Sequence, residues 1–496
     1  MRLGGGALTV ILNGTMQVTV IGTGYVGTVT GACLAYLGHH VVCVDTDAVK
    51  IARLRRGESP IYEPHLESML ALAAERGGIE FDTELANAVR ASDVIFIAVG
   101  TPPLPSGEAN LAYLETAAKH IGAAMDGARY RVVINKSTVP VGSGNLVEAL
   151  VREGMAGEGM PREGIGDSRP AVRIRFGVAS NPEFLREGSA VADSLYPDRI
   201  VVGGDAATLA VMRELYEPLV AQAFTPPPGV PRPSSMISVP LLATSLTSAE
   251  MIKYAANAFL AIKIGFANEI ANICERVGAE APEVMAGIGL DSRIGSKFLN
   301  PGVGWGGSCF GKDIQALLHT AREYGYSGKL LQAALDVNAA QRQMVIQKLQ
   351  EKLFILKGRT VGLLGLAFKP DTDDLRDAPS LHIAERLLQM GVRVKAYDPV
   401  ANAACREQRP DLKIRYCDSP RELAADADAL VLVTEWNEFH NLDLAELART
   451  MTTAVLVDGR NFFIPETALA AGFDYTGIGR CPRARTGPPA PAGITT

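Results

Sequence analysis

The chain has 496 residues, more than one hydrophobic core of roughly 250–300 residues supports, so two or three domains are expected. With 47% hydrophobic and 21% charged residues and a net charge of -6, it has an ordinary globular balance and lacks the basic footprint that nucleic acid or an anionic membrane would require. The seven cysteines contain no C-x-x-C pair, no apolar run reaches the ~18 residues of a membrane span, and Met1 to Thr15 shows no secretory pattern, so a reducing, cytoplasmic setting is expected.

Residues 1–15 read as an extension. From Val18 the chain alternates short apolar runs with amphipathic stretches: Val18 to Gly22, a helix from Tyr25 to Leu37, then Val41 to Asp45, which is a βαβ unit. Further strands are predicted at Asp93–Val99, Arg131–Asn135 and Arg175–Ala179, giving a doubly wound parallel sheet in an N-terminal α/β domain spanning 16–246. Met155 to Pro170 and Thr225 to Pro240, rich in Gly, Pro and Ser, read as surface loops or insertions. Thr247-Ser-Ala-Glu250 fits a capping box opening a helix that runs without a breaker to Gly278. That helix begins a central connector, 247–345, whose exposed length offers a dimer surface. In 346–480 strands predicted at Arg359–Gly365, Val392–Asp398, Asp428–Val433 and Ala454–Asp458 echo the N-terminal ones, so a second Rossmann-like domain is expected. Residues 481–496, rich in Pro, Ala and Gly, read as a disordered tail.

Gly22-Thr-Gly24-Tyr-Val-Gly27 is a G-x-G-x-x-G between a strand and a helix. Its glycines allow a tight turn, close approach of the backbone to pyrophosphate, and close helix–strand packing. Asp45 ends the next strand about twenty residues on, where a carboxylate accepts both ribose hydroxyls, and Thr46 follows in place of an arginine for a 2′-phosphate; NAD is favoured over NADP. Thr101 lies at a strand's C-terminal edge facing the same crevice, and Lys50 is either an adenosine contact or a solvated helix charge. The C-terminal echo, Gly365-Leu-Ala-Phe-Lys369, lacks the later glycines and places a lysine at the crevice, so that sheet is expected to bind a different nucleotide.

Cys309 sits in Gly306-Gly-Ser-Cys309-Phe-Gly-Lys-Asp313, just before a helix predicted to begin near Asp313. A thiol at a helix N-terminus is a better nucleophile, and neighbouring glycines would leave room for a substrate carbonyl; a small buried hydrophobe is the alternative. Lys253 and Asn257 stand at i, i+4 between apolar neighbours, so they share a helix face from which both could donate to one oxygen, and an unpaired lysine there would be costly. Asn181-Pro-Glu183-Phe-Leu-Arg-Glu187 and Lys136-Ser-Thr138 each follow a strand and reach a crevice edge. No nucleophile elbow and no H-e-x-x-H-type histidine spacing is present, so neither a serine hydrolase nor a metal site is expected.

From Met16 to about Gly479 these motifs resemble the UDP-glucose/GDP-mannose dehydrogenase family. The markers are Gly22–Gly27, Lys136-Ser-Thr-Val-Pro-Val-Gly142, Asn181–Gly188, Glu250–Asn257, Gly306–Cys309 and Gly365–Asp374. Asp291–Leu299 is similar to the UDP-glucose branch, although Gly311 and Asn300 depart from residues common in the family. The resemblance implies two NAD-dependent oxidations of UDP-glucose to UDP-glucuronate. Cys309 is then the nucleophile, Lys253 and Asn257 stabilise oxyanions, and Asp313 acts with a water flanked by Thr138 and Glu183. It implies an NAD site of Gly22, Gly24, Tyr25, Val26, Gly27, Asp45, Lys50, Thr101, Thr138, Glu187 and Lys312. For the nucleotide sugar it implies Glu183, Phe184, Leu185, Lys253, Asn257, Phe298, Gly306, Phe368, Lys369 and Arg460, with Arg293 reaching the partner's site in a homodimer. The alternatives are a dehydrogenase of another nucleotide sugar (GDP-mannose or a UDP-N-acetylhexosamine), a single-step hydroxyacid or sugar-acid dehydrogenase with a structural Cys309, and a non-catalytic NAD-binding regulator.

Overall fold

The computed structural model describes residues 14–126, 129–156 and 176–481. Most of the Met155–Pro170 loop, of the 1–15 extension and of the tail from 481 lies outside the described residues. The chain divides into two compact units. One comprises the chain up to Ala256 with Gln315–Tyr326, the other Asn257–Ile314 with the chain from Ser327 onward.

The first unit is built on β1 (Gln17–Ile21), β2 (His40–Val44), β3 (Ile79–Asp82), β4 (Val94–Ile97), β5 (Arg131–Asn135), β6 (Phe176–Ser180), β7 (Ile200–Gly203) and β8 (Leu241–Thr244), in the order β3-β2-β1-β4-β5-β6-β7-β8. Pairing is parallel from β3 to β6, antiparallel at β6/β7 and parallel again at β7/β8. β4 and β5 are buried at every position, as helices on both faces require of a central parallel strand. Every strand predicted here is found, within a residue or two of its expected ends, and the helix Tyr25–Tyr36 follows β1. The sheet goes beyond the expectation through β3, β7 and β8. Inside the predicted loop Thr225–Pro240, Val230 and Val239 join the core, so part of that segment packs.

The second unit carries β9 (Thr360–Leu364), β10 (Arg393–Tyr397), β11 (Arg415–Tyr416), β12 (Ala429–Leu432), β13 (Val455–Asp458) and β14 (Asp474–Gly477), all parallel, in the order β11-β10-β9-β12-β13-β14. All four predicted strands form, and the two sheets repeat one central order, so the fold is two Rossmann-like α/β sheets.

The division between units falls within one helix, Leu246–Val277, whose 32 residues span about 48 Å. The capping box does not open it. Ser245 does, its Oγ accepting the Ser248 amide at 3.1 Å, while Glu250 turns elsewhere. Among the described residues no helix is long and apolar enough to cross a membrane.

Candidate active site

In the first unit the glycine turn follows from packing. Gly22 is left-handed (φ 97°), and a Cβ there would meet the Ala98 carbonyl oxygen at 2.6 Å; one on Gly27 would lie 1.8 Å from the Gly22 oxygen. At Gly24 nothing lies within 4 Å of that position, so the backbone before the helix Tyr25–Tyr36 is bare on the side a pyrophosphate would approach. Asp45, just beyond β2, accepts from the Thr23 amide (2.8 Å), the Thr23 hydroxyl (2.7 Å) and Lys50 Nζ (3.2 Å). Burial acts to raise its carboxyl, but the amides of Thr23 and Asp47, the Thr23 hydroxyl and Lys50 hold it below the usual aspartate range. Lys50 is thus paired with the acid and stays 30% exposed. Tyr25 donates to Glu63, a buried carboxylate that also accepts the amides of Gly188 and Ala190 at 2.7 Å each. Val26 lies half-buried in the first turn of that helix and Glu187 half-buried beside Gly188.

Beyond β5 and β6 a second cluster forms. Lys253 Nζ donates to Glu183 Oε1 at 2.9 Å, both groups almost fully buried, and the Leu185 amide donates to Glu183 Oε2 at 2.6 Å. Burial would raise the Glu183 carboxyl, yet Lys253, the Leu185 amide and Lys136 outweigh it and hold it below the ordinary glutamate range. Lys253 is thus paired, as its apolar surroundings demanded. Its ammonium also stands 5.5 Å from the Phe184 ring centre, with the Arg199 guanidinium at 3.9 Å. Thr101 donates to the Thr138 carbonyl at 2.7 Å, tying two crevice loops together.

Lys136, which the sequence places at a crevice edge without giving it a role, belongs to this cluster. It donates to Asn181 Oδ1 at 3.1 Å, and burial pushes its ammonium down to about 8, Glu183 opposing and Lys253 adding to the shift. Two lysines against one carboxylate leave a surplus positive charge beside Thr138, suited to an oxygen that gains negative charge.

In the second unit Asn257 Nδ2 donates to Asp313 Oδ2 at 2.6 Å and Lys312 Nζ to Asp313 Oδ1 at 2.8 Å, around a carboxylate only 1% exposed. Lys253 and Asn257, one turn apart on one helix, therefore each hold a carboxylate of their own rather than sharing an oxygen. The helix expected near Asp313 begins three residues earlier, at Phe310, so Cys309 immediately precedes its first turn and its carbonyl accepts the Asp313 amide. The thiol is half-buried.

The glycines before Cys309 are filled by the protein itself, a correction to the reading that they leave room for substrate. A Cβ on Gly306 would meet the Asp377 carbonyl oxygen at 2.4 Å, and one on Gly307 (φ 85°) the Phe368 ring at 2.7 Å. Lys369 caps that ring, 5.3 Å from its centre. Arg460 donates to the carbonyls of Val433 (2.8 Å) and Gly304 (3.2 Å), joining the sheet edge to the glycine turn. Phe298 holds a left-handed backbone (φ 64°), uncommon for an aromatic residue, and Arg293 is 87% exposed and pairs with Asp291.

The acids at the strand ends separate the two sheets chemically. Asp398, beyond β10, occupies the position of Asp45 but is 2% exposed and accepts the amides of Leu366, Ala367, Val400 and Ala401 and the indole of Trp436. With both oxygens saturated by donors from its own chain it has no lone pair for a ribose diol, as the altered glycine pattern led one to expect.

Comparison with known proteins agrees with this division. The sequence matches the NAD binding domain of the UDP-glucose/GDP-mannose dehydrogenase family over residues 16–220, its central domain over 247–340 and its UDP binding domain over 362–465. The chain belongs to the UDP-glucose/GDP-mannose dehydrogenase family. It is 45% identical over 469 residues to UDP-glucose 6-dehydrogenase TuaD of Bacillus subtilis, covering 94% of this chain and 93% of that one. It is likewise 45% identical over 477 residues to a UDP-glucose 6-dehydrogenase of Pseudomonas aeruginosa, covering 95% and 98%. A solved UDP-glucose dehydrogenase of the archaeon Pyrobaculum islandicum superposes with a TM-score of 0.81 at 37% identity, over 94% of this chain and 98% of that one. The family assigns NAD to the first sheet, and the bare Gly24 backbone and the Asp45 carboxylate fit it. Replacing Asp45 by alanine removes a charged acceptor worth about 1.5–3 kcal/mol, so KM for NAD should rise roughly 10- to 150-fold while nucleotide-sugar affinity, read by calorimetry, stays near the wild-type value.

Proposed function

We propose that the protein oxidises the C6 alcohol of UDP-glucose to the carboxylate, giving UDP-glucuronate with two NAD reduced per sugar. The observation that carries this reading is the half-buried Cys309 at a helix start, with Asn257 and Asp313 in the same unit, on a chain that matches UDP-glucose 6-dehydrogenases over 94% of its length. When bound, NAD supplies the hydride acceptor for both oxidations. Cys309 Sγ adds to the aldehyde left by the first, so the reactive carbon stays covalently held as a thiohemiacetal; loss of the second hydride leaves a thioester. Water then adds at the thioester carbon, the C–S bond breaks, and the acid and the free thiol are released. Each tetrahedral stage carries an oxyanion, for which Lys253 and Asn257 are the donors. Asp313 takes the proton of the attacking water.

Lys369 and Arg460 contact the nucleotide sugar on the second sheet, and the free thiols suit a reducing cytoplasm. The test is NADH yield with UDP-glucose, GDP-mannose and UDP-N-acetylmannosamine. Two NADH per UDP-glucose, with the other sugars slow, is expected; one NADH per sugar, or preference for another sugar, would overturn it.

We also propose a homodimer. On the long helix Phe259, Phe266 and Ile273 recur every seven residues and are 65%, 49% and 48% exposed, an apolar seam suited to a second copy. Replacing Phe259 and Phe266 by glutamate should halve the mass measured by light scattering; an unchanged mass would place the interface elsewhere.

A further inference from the structure

Glu250 is 4% exposed and lies one helical turn before Lys253 on the same face of the long helix. Both of its oxygens are engaged. Oε2 accepts the Gly142 amide at 2.6 Å, and Oε1 accepts the Gly144 amide at 2.7 Å and the Ser180 hydroxyl at 2.8 Å. Those two amides open the helix Ser143–Ala156, whose N-terminal dipole favours a negative partner. The receiving segment is shaped for the carboxylate: Gly142 is left-handed (φ 98°), and a Cβ on Gly144 would stand 3.1 Å from Glu250 Oε1 and 2.9 Å from Ser180 Oγ. Burial pushes the Glu250 carboxyl above the ordinary glutamate range, the three donors opposing.

The segment held in this way is the one that carries the chemistry. Gly142 ends the loop that leaves β5 through Thr138, and Ser180 ends β6 three residues before Glu183. Between them, Thr138, Lys253 and Glu250 line a cavity of about 10 Å³, room for one water, together with Asn135, whose buried Oδ1 has no hydrogen-bond partner among the described residues. The spacing of Lys253, Thr138 and Glu183 is therefore set by how the long helix is fastened to these two loops, and Glu250 is the group that fastens it.

We infer that Glu250 is a positioning residue of the dehydrogenase, its carboxylate tying the long helix to the loops after β5 and β6 so that Lys253, Thr138 and Glu183 keep their working separation. This rests on the catalytic reading proposed above. Glu250→Gln keeps the volume but turns an amide NH₂ toward a backbone N–H, setting donor against donor. A displacement on the order of an ångström at a reacting centre costs about 100-fold in rate. The variant should therefore lose roughly 10- to 100-fold in kcat, on whichever nucleotide sugar the wild type turns over, with KM for NAD within about twofold. Ser180→Ala, which removes one donor and spares the helix opening, should lose about 3- to 10-fold with the same split, and it decides the matter where Glu250→Gln does not fold. Hydrogen exchange gives a reading independent of turnover: amides of 138–146 should exchange at least about tenfold faster in either variant, those of 17–36 unchanged. Unchanged exchange at 138–146, wild-type kcat, or a rise in KM for NAD that matches the fall in kcat would each overturn the inference. A wild type inactive on every nucleotide sugar would instead refute the catalytic reading and leave the exchange result to judge the fastening.

Discussion

Replacing Cys309 by alanine is expected to lower the rate of acid formation by about 10³-fold or more while NAD affinity stays unchanged, because the proposed nucleophile is removed and the nucleotide fold is untouched. The side chain is small and half-buried, with the Ser308 hydroxyl 3.5 Å from its sulfur, so the helix Phe310–Glu323 should form as before. The same thiol should be the first to react with iodoacetamide. Burial pushes Cys33 and Cys43 up to about 12, raises Cys405 and Cys417 as well, and Cys481 is raised by desolvation and by the Glu280 and Glu275 carboxylates. Cys274 is buried. Saturating UDP-glucose should slow the modification, and peptide mass spectrometry identifies the site. An alanine variant that still made the acid at near wild-type rate would end the covalent mechanism.

Where side chains report on their own neighbourhood, the sequence was legible. The central strands are runs of Val, Ile and Leu bounded by turn residues, and the glycine turn with Asp45 lies within one βαβ unit, so both could be read directly. The strands that escaped are short or sit toward sheet edges: β11 has two residues, β3 four, and β8 follows a proline-rich stretch and pairs with β7, which itself runs against β6. Such strands carry too few residues for a periodic signal, and their pairing is set by tertiary packing.

Glu250 shows the same limit at a single residue. Its spacing after Thr247 reads locally as a capping box, yet its carboxylate caps a different helix more than a hundred residues away in sequence, and no local pattern encodes that. Lys136 reads as a loop lysine after a strand and becomes a buried cation only because Asn181 and Phe96 close around it. Asp398 is the opposite case: the missing glycines in Gly365-Leu-Ala-Phe-Lys369 signalled a changed site, and the structure supplies the reason in four amides and an indole on one carboxylate.

Replacing Lys253 by methionine should remove activity and destabilise the fold together, and the two losses can be separated. Lys253 and Glu183 are both nearly inaccessible, so the substitution leaves a carboxylate that burial disfavours with the Leu185 amide and the more distant Lys136 for support. Breaking one side of a buried pair costs about 3–5 kcal/mol, and Lys136 should keep the cost toward the lower figure. In the wild type the Glu183 carboxyl lies below its unfolded value, so it contributes stability above the unfolded carboxylate range that is lost as pH falls through the folded one. With Lys253 gone, desolvation is expected to outweigh the Leu185 amide and Lys136 and to move the folded value above the unfolded one. The sign then reverses: the variant gains relative to wild type as pH falls and Glu183 takes up its proton. Denaturant unfolding from pH 8 to pH 5 should accordingly show the gap between wild type and variant narrowing. Adding Glu183→Gln to Lys253→Met removes the stranded charge and should recover much of the stability while restoring no turnover, because the proposed donor to the oxyanion is still absent. A Lys253→Met protein as stable as wild type at pH 8 would show that the pair does not hold the fold, and a double variant that regained activity would show that it does not carry the chemistry.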